Sequence, residues 1–214
     1  SAGHYVSDSI AVIVDNDLPS ANIVAPLPGE YVEGTYVFKV SASDIVGIER
    51  VSITFGSKTY TMAYNSGTGN WEVSIDTTTI TDGTYSITAT VEDAIATHTQ
   101  TTTAFTFYID NNAPTLSINT PSNGAIVTGS SVTLSVDSSD IGFIPTVKFK
   151  IDGGAWVTMS SAGGSTWTYT WDSTSVSNGS HVITFRANDS AGHYVSDSIA
   201  VIVDNDLPSA NIVA

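Results

Sequence analysis

Short runs rich in Val, Ile, Thr, Tyr and Phe alternate with polar residues along the chain, each bounded by Gly, Asn, Ser or Asp clusters. A two-residue period of this kind marks half-buried strands, and no window carries a helical period. In the first half the pattern predicts strands near Ala21–Ala25, Tyr36–Ala42, Arg50–Phe55, Lys58–Tyr64, Trp71–Ile75, Thr84–Val91 and Thr103–Ile109. The second half predicts them near Leu116–Thr120, Val132–Val136, Thr146–Ile151, Ala155–Met159, Thr166–Trp171, Ser180–Ala187 and Ser198–Val203. About seven antiparallel strands per half, in the same order, imply an all-β chain of tandem two-sheet sandwiches closed by Greek-key connections. Tyr36, Phe38, Val40 and Ala42 share one strand face, which sends Lys39 to solvent and argues against a Lys–Asn isopeptide cross-link.

The two halves are related by descent. Residues 1–25 recur without a change at 190–214, 189 residues later. Inside that period, Asp15-Asn16-Asp17-Leu18-Pro19 aligns with Asp110-Asn111-Asn112-Ala113-Pro114 and again with Asp204-Asn205-Asp206-Leu207-Pro208. Pro26, Gly29, Val32 and Gly34 keep phase with Pro121, Gly124, Val127 and Gly129, as Trp71, Asp76, Gly83 and Asp93 do with Trp167, Asp172, Gly179 and Asp189. A unit near 95 residues is too long for a solenoid repeat and has the size of an independent sandwich. The expected division is 1–17 as the last strand of a preceding repeat, 18–111 and 112–206 as two complete domains, and 207–214 as the start of the next.

Charge narrows the function classes. Six Lys and Arg against 21 Asp and Glu leave a net charge of −15, so no basic footprint for nucleic acid or an anionic membrane surface is present. Only 13% of residues are charged, and the polar positions are filled by Ser, Thr, Asn and Gly, as in secreted all-β proteins. The absence of Cys removes disulfides, thiolate metal sites and thiol nucleophiles without fixing the redox compartment. No apolar run is long enough to span a membrane and no signal peptide is visible, which says little about a longer parent.

The unit endings VEDAIATHTQTTTAFTFYIDNNAP and ANDSAGHYVSDSIAVIVDNDLP resemble the immunoglobulin-like repeats of bacterial and archaeal surface proteins, over essentially the whole chain. The resemblance implies adhesins, surface-layer proteins, stalks and filaments, or spacers in secreted enzymes. The same endings are similar to cadherin repeats, which implies calcium binding at the Asp-Asn-Asp-x-Pro linker. Ala187, Asp189, Asp204, Asn205, Asp206 and Pro208 fit that outline. The first unit lacks the Ala, its linker ends in Asn112, and no Asp-Arg-Glu motif occurs.

Topology supplies a separate reason to consider a metal. In an immunoglobulin-like sandwich the loops after the second and sixth strands lie at the end that receives the incoming linker. Asp44 and Asp93 are therefore expected near Asp15 and Asp17, and Asp140 and Asp189 near Asp110, Asn111 and Asn112. Calcium takes 6 to 8 oxygens, so converging carboxylates and amides at each joint make an inter-domain calcium site a candidate. The same Asp and Asn residues would equally serve as side-chain caps of turns, with no metal.

The remaining chemistry-bearing residues have structural readings. Trp71, Val73 and Ile75 alternate on one strand face, as Trp167, Tyr169 and Trp171 do, and read as core. Trp156, beside Gly153-Gly154, is the best single candidate for contact with a ligand or neighbour. His4 and His193 are copies of one position, with His98 near its counterpart, and read as loop residues and not ligands. His181, next to Val182 on a strand, reads as solvent-facing. Asn178 and Asn188 open N-glycosylation sequons. No Gly-x-Ser-x-Gly elbow and no cleft of paired carboxylates points to an enzyme.

These readings converge on a non-catalytic structural segment of an extracellular or cell-surface protein, a filament, stalk, surface-layer or adhesin rod. Its partners would be neighbouring copies, with Ser1–Asp15 supplying the final strand of a preceding domain covalently or by exchange between chains. A glycan- or host-binding module, with neither nucleic acid nor membrane insertion involved, and a spacer in a secreted enzyme are the alternatives.

Overall fold

A computed structural model of the chain describes residues 7–95, 98–141, 144 and 146–208. The chain divides into two compact units, 1–109 and 110–214. Unit 1 holds β1 (Ser20–Ala25), β2 (Tyr31–Val32), β3 (Thr35–Ser43), β4 (Ile48–Phe55), β5 (Lys58–Thr61), β6 (Ala63–Asn65), β7 (Asn70–Asp76), β8 (Gly83–Asp93), β9 (Thr99–Thr101) and β10 (Phe105–Ile109). One sheet runs β1-β3-β7-β6 and the other β2-β10-β8-β4-β5, with β9 also on β8. Unit 2 holds β11 (Thr115–Thr120), β12 (Ile126–Val127), β13 (Val132–Ser139), β14 (Thr146–Ile151), β15 (Val157–Thr158), β16 (Ser160–Gly163), β17 (Thr166–Trp171), β18 (Gly179–Asn188) and β19 (Tyr194–Val203). Its sheets run β11-β13-β17-β16 and β12-β19-β18-β14-β15. The result is the immunoglobulin-like sandwich, twice.

In each unit the inner faces of the two sheets build one core. In unit 1, Phe38 and Val40 of β3 meet Ile53 and Phe55 of β4, Ile87 of β8 and Phe107 of β10, all buried. Phe38 stacks on Phe55 at 5.2 Å between ring centroids and meets Phe107 edge-on at 5.7 Å. In unit 2, Leu134 and Val136 of β13 pack with Phe149, Ile183, Phe185 and Val201. Lys39, between Phe38 and Val40, points outward and reaches Glu72 at 3.5 Å.

The strand count departs from seven for identifiable reasons. The run read as one strand over 58–64 breaks at Met62, which is buried and whose N–H donates to the Val51 carbonyl at 2.9 Å. β5 thereby pairs with β4 in one sheet, while β6 pairs with β7 in the other. Met159 makes the same switch between β15 and β16, donating to the Val147 carbonyl. The two-residue strands β2 and β12 run parallel to β10 and β19, so the pairing is not wholly antiparallel.

The phased landmarks between the halves become structural. Asp76 and Asp172 cap short 3₁₀ turns at Thr77–Thr79 and Ser173–Ser175, accepting from the amides of Thr78 and Thr174. The Thr77 and Ser173 hydroxyls each donate at 2.8 Å to the carbonyl of Gly34 or Gly129, two glycines with left-handed φ of 57° and 81°.

Candidate functional site

The strongest grouping of ionisable side chains in each unit joins the linker preceding the sandwich to the loop after the long strand β8 or β18. In unit 1, Asp15 meets Asp93 and His98; in unit 2, Asp110 meets Asp189 and His193. Within each trio the ligand-type atoms lie within 4.8 Å of one another. Loop geometry sets the acceptors: Asp93 Oδ1 takes the Ile95 amide at 2.7 Å, leaving Oδ2 3.1 Å from His98 Nδ1. Asp189 Oδ1 takes the Gly192 and His193 amides at 2.7 and 2.8 Å, leaving Oδ2 3.1 Å from His193 Nδ1.

Of the seven Asp residues that sequence reasoning set at the two joints, Asp15, Asp93, Asp110 and Asp189 enter these trios, whereas Asp17, Asp44 and Asp140 enter neither. Asp44 accepts the Val46 amide at 2.9 Å and Asp140 the Ile141 amide at 2.6 Å, which is the turn-capping use of Asp. Asp17 is exposed and donates its amide to Asp15 Oδ1 at 3.1 Å, and Asn112 is exposed as well. Calcium's demand for 6 to 8 oxygens fits two carboxylates and an imidazole nitrogen poorly.

His98 and His193 do lie in loops, as read, but their contacts with Asp93 and Asp189 went unforeseen. The signal was the recurrence of Asp followed by His four or five residues on, at the matching place in both units. His4 lies outside the described residues. His181 corrects an expectation: it is 8% exposed and not solvent-facing. It shares the inward phase of Ile183, Phe185 and Ala187 on β18, and its ring meets Asp152 Oδ2 and the Ser177 carbonyl.

The Trp residues divide as expected. Trp71, Trp167 and Trp171 pack against the cores. Trp156 is 37% exposed and carries the Lys150 ammonium 4.8 Å from its ring centroid. It lines a groove with Thr146, Lys148, Arg186 and Asn188, and the Arg186 guanidinium lies 3.8 Å from the Tyr194 ring centroid. Of the sequon residues, Asn178 is exposed while Asn188 is half-buried at the end of β18.

The family described as bacterial Ig domain matches at residues 19–89 and again at 114–184. The chain belongs to the bacterial Ig domain family. Both matches fall inside the two sandwiches, one per unit. No curated protein matches the chain. Among solved structures, an I-band fragment of titin has a TM-score of 0.56 at 14% identity, covering 88% of this chain and 66% of that one. Fibronectin(III)-like modules of CbhA from Clostridium thermocellum score 0.48 at 18% identity, covering 90% of this chain and 100% of theirs. A structure concerned with host cell surface retention of a 1.5-MDa bacterial ice-binding adhesin scores 0.44 at 18% identity, covering 89% and 67%. The titin likeness shows the shared fold. Ig domains of this kind are typically non-catalytic modules. No helix among the described residues is long and apolar enough to cross a membrane.

Proposed function

We propose that the chain is a non-catalytic structural segment of a long extracellular, cell-surface protein, in which Ig domains follow one another in a rod such as a filament, stalk, surface layer or adhesin shaft. One observation carries the reading. Residues 7–14 and 196–203 have the same sequence in two environments. In the second copy they form the end of β19, where Ile199, Val201 and Val203 are 9%, 0% and 1% exposed. In the first copy they form no strand, and Ile10, Val12 and Val14 are 84%, 71% and 72% exposed. A segment that closes a core in one setting and exposes the same apolar face in another fits the last strand of a preceding copy.

Hydrogen exchange on a chain in which a copy of residues 112–189 is fused ahead of Ser1 tests this. Residues 7–14 are expected to become protected like β19, and scattering on chains of one, two and three periods is expected to show length growing in proportion to their number. Rapid exchange of residues 7–14 in the fusion, or a compact particle, would sink the reading.

A second reading, recognition of an anionic glycan or host surface, is supported by the groove beside Trp156. Lys148, Lys150 and Arg186 gather there in a chain with six Lys and Arg in all. Cations beside aromatic rings suit carboxylated or sulfated sugars. Glycan-array binding abolished by Trp156→Ala would favour it, and silence on such an array would leave the rod alone.

A further inference from the structure

We infer that each Ig domain carries a site for a divalent transition-metal ion of the zinc class, held by Asp15, Asp93 and His98 in unit 1 and by Asp110, Asp189 and His193 in unit 2. Burial is the first argument. The Asp15 and Asp93 side chains are 1% and 0% exposed, so two carboxylates are taken out of water beside one imidazole. Charge buried in that way is unfavourable unless it is matched.

The second argument is an unused oxygen. Asp15 Oδ1 accepts the Asp17 amide, and Asp93 is engaged at both oxygens. Asp15 Oδ2 is buried without a hydrogen-bond partner and faces into the trio, 3.9 Å from His98 Nδ1. A turn cap has no need of that second carboxylate. A metal ion would take Asp15 Oδ2, Asp93 Oδ2 and His98 Nδ1 together.

The third is repetition under change. The loop between Asp93 and His98 holds four residues and that between Asp189 and His193 three, with different sequences. Even so, the Nδ1-to-Oδ2 distance is 3.1 Å in both. The donor set then selects the ion. Imidazole with carboxylate suits zinc and its neighbours, whereas calcium and magnesium call for oxygen alone. Zinc bonds to nitrogen and oxygen of about 2.0–2.2 Å place neighbouring donors roughly 3.3–3.6 Å apart, which these trios approach. Three protein donors leave a fourth position for water or for a donor from elsewhere.

Calorimetric titration of the full chain with zinc chloride tests the inference. Two bound ions per chain are expected, with cobalt giving the visible absorption bands of a tetrahedral nitrogen–oxygen site. His98→Gln and His193→Gln should each lower the stoichiometry by one, and the double variant should abolish binding. Because those variants still offer a hydrogen-bond donor to Asp93 and Asp189, their circular dichroism should match the parent chain. An independent reading comes from the unsubstituted protein, whose Tm should rise by several degrees in zinc and return in chelator. Absence of zinc binding would overturn the inference. So would zinc binding that survives the double variant, or stabilisation by calcium with none by zinc.

Discussion

His181 Nδ1 lies 2.5 Å from Asp152 Oδ2, and its Nε2 donates to the Ser177 carbonyl at 2.8 Å. Both partners are acceptors, so the doubly protonated ring satisfies both contacts and the neutral ring gives one up. Asp152 in turn holds the Val182 amide at 2.8 Å from a backbone with φ of 48°, so one turn residue ties the β14 hairpin to β18.

The stability of unit 2 should therefore depend on pH in a definite sense. The hydrogen bond to Asp152, then that to Ser177, raises the His181 pKa above the ordinary value of about 6.5. A raised folded pKa means the contribution is complete below about pH 6.5 and disappears as pH climbs through the folded value. The Val182 amide, then His181, lowers the Asp152 pKa, so that contribution is complete above about pH 4 and disappears on acidification through the folded value. Urea unfolding of unit 2 should show its greatest resistance between these limits. His181→Gln should flatten the alkaline decline, and an unchanged slope in that variant would assign the decline to other groups.

The 3₁₀ turns give a smaller, local prediction. Asp76 Oδ1 accepts both the Thr78 amide and the Thr78 hydroxyl, as Asp172 does for Thr174. Replacing either cap by Ala should destabilise its unit by about 1 kcal/mol, while Asn should retain most of that. Denaturant midpoints for the Ala and Asn variants separate the lost acceptor from the lost charge.

Strand alternation was legible because each long strand has one buried and one wet face. The ranges expected for β14 and β17 are those observed, and the core phase of Phe38 and Val40 was right. What escaped was anything set by a single residue crossing between sheets. Met62 read as strand interior and Met159 as the end of a strand, yet each is where the chain leaves one sheet for the other. Four of the six residues gathered for a metal were legible from topology, since the linker and the loop after the sixth strand share an end. The His partners were not, because a histidine in a polar loop has no signature until its distance to a carboxylate is known. His181 was legible in principle from its phase with Ile183 and Phe185, but its polarity outweighed that phase until Asp152 supplied the partner.

Phe38 tests the unit 1 core. Fully buried between Phe55 and Phe107, it joins the two sheets at their middle. Phe38→Ala should cost about 3–5 kcal/mol in unit 1 and Phe38→Leu considerably less, because the leucine refills part of the volume. Equilibrium urea unfolding of unit 1 gives both numbers.

The repeated segment allows one substitution to be tried twice in the same sequence. Val201 is fully buried on β19 in the core cluster that holds Ile183 and Phe185, and it pairs with His181, whose two ring nitrogens are already engaged by Asp152 and Ser177, so a carboxylate there would leave water for an apolar core. Val201→Asp should prevent unit 2 from folding or cost well over about 4 kcal/mol. Val12, its copy, is 71% exposed, and Val12→Asp should change the stability of the isolated chain by no more than about 0.5 kcal/mol. With a copy of residues 112–189 fused ahead of Ser1, Val12→Asp should instead behave like Val201→Asp. That reversal follows only if residues 7–14 enter the sandwich of the preceding copy. Thermal melts of Val12→Asp and Val201→Asp in the chain with and without the fusion decide it. A neutral Val12→Asp in the fusion would show that the segment stays outside any core.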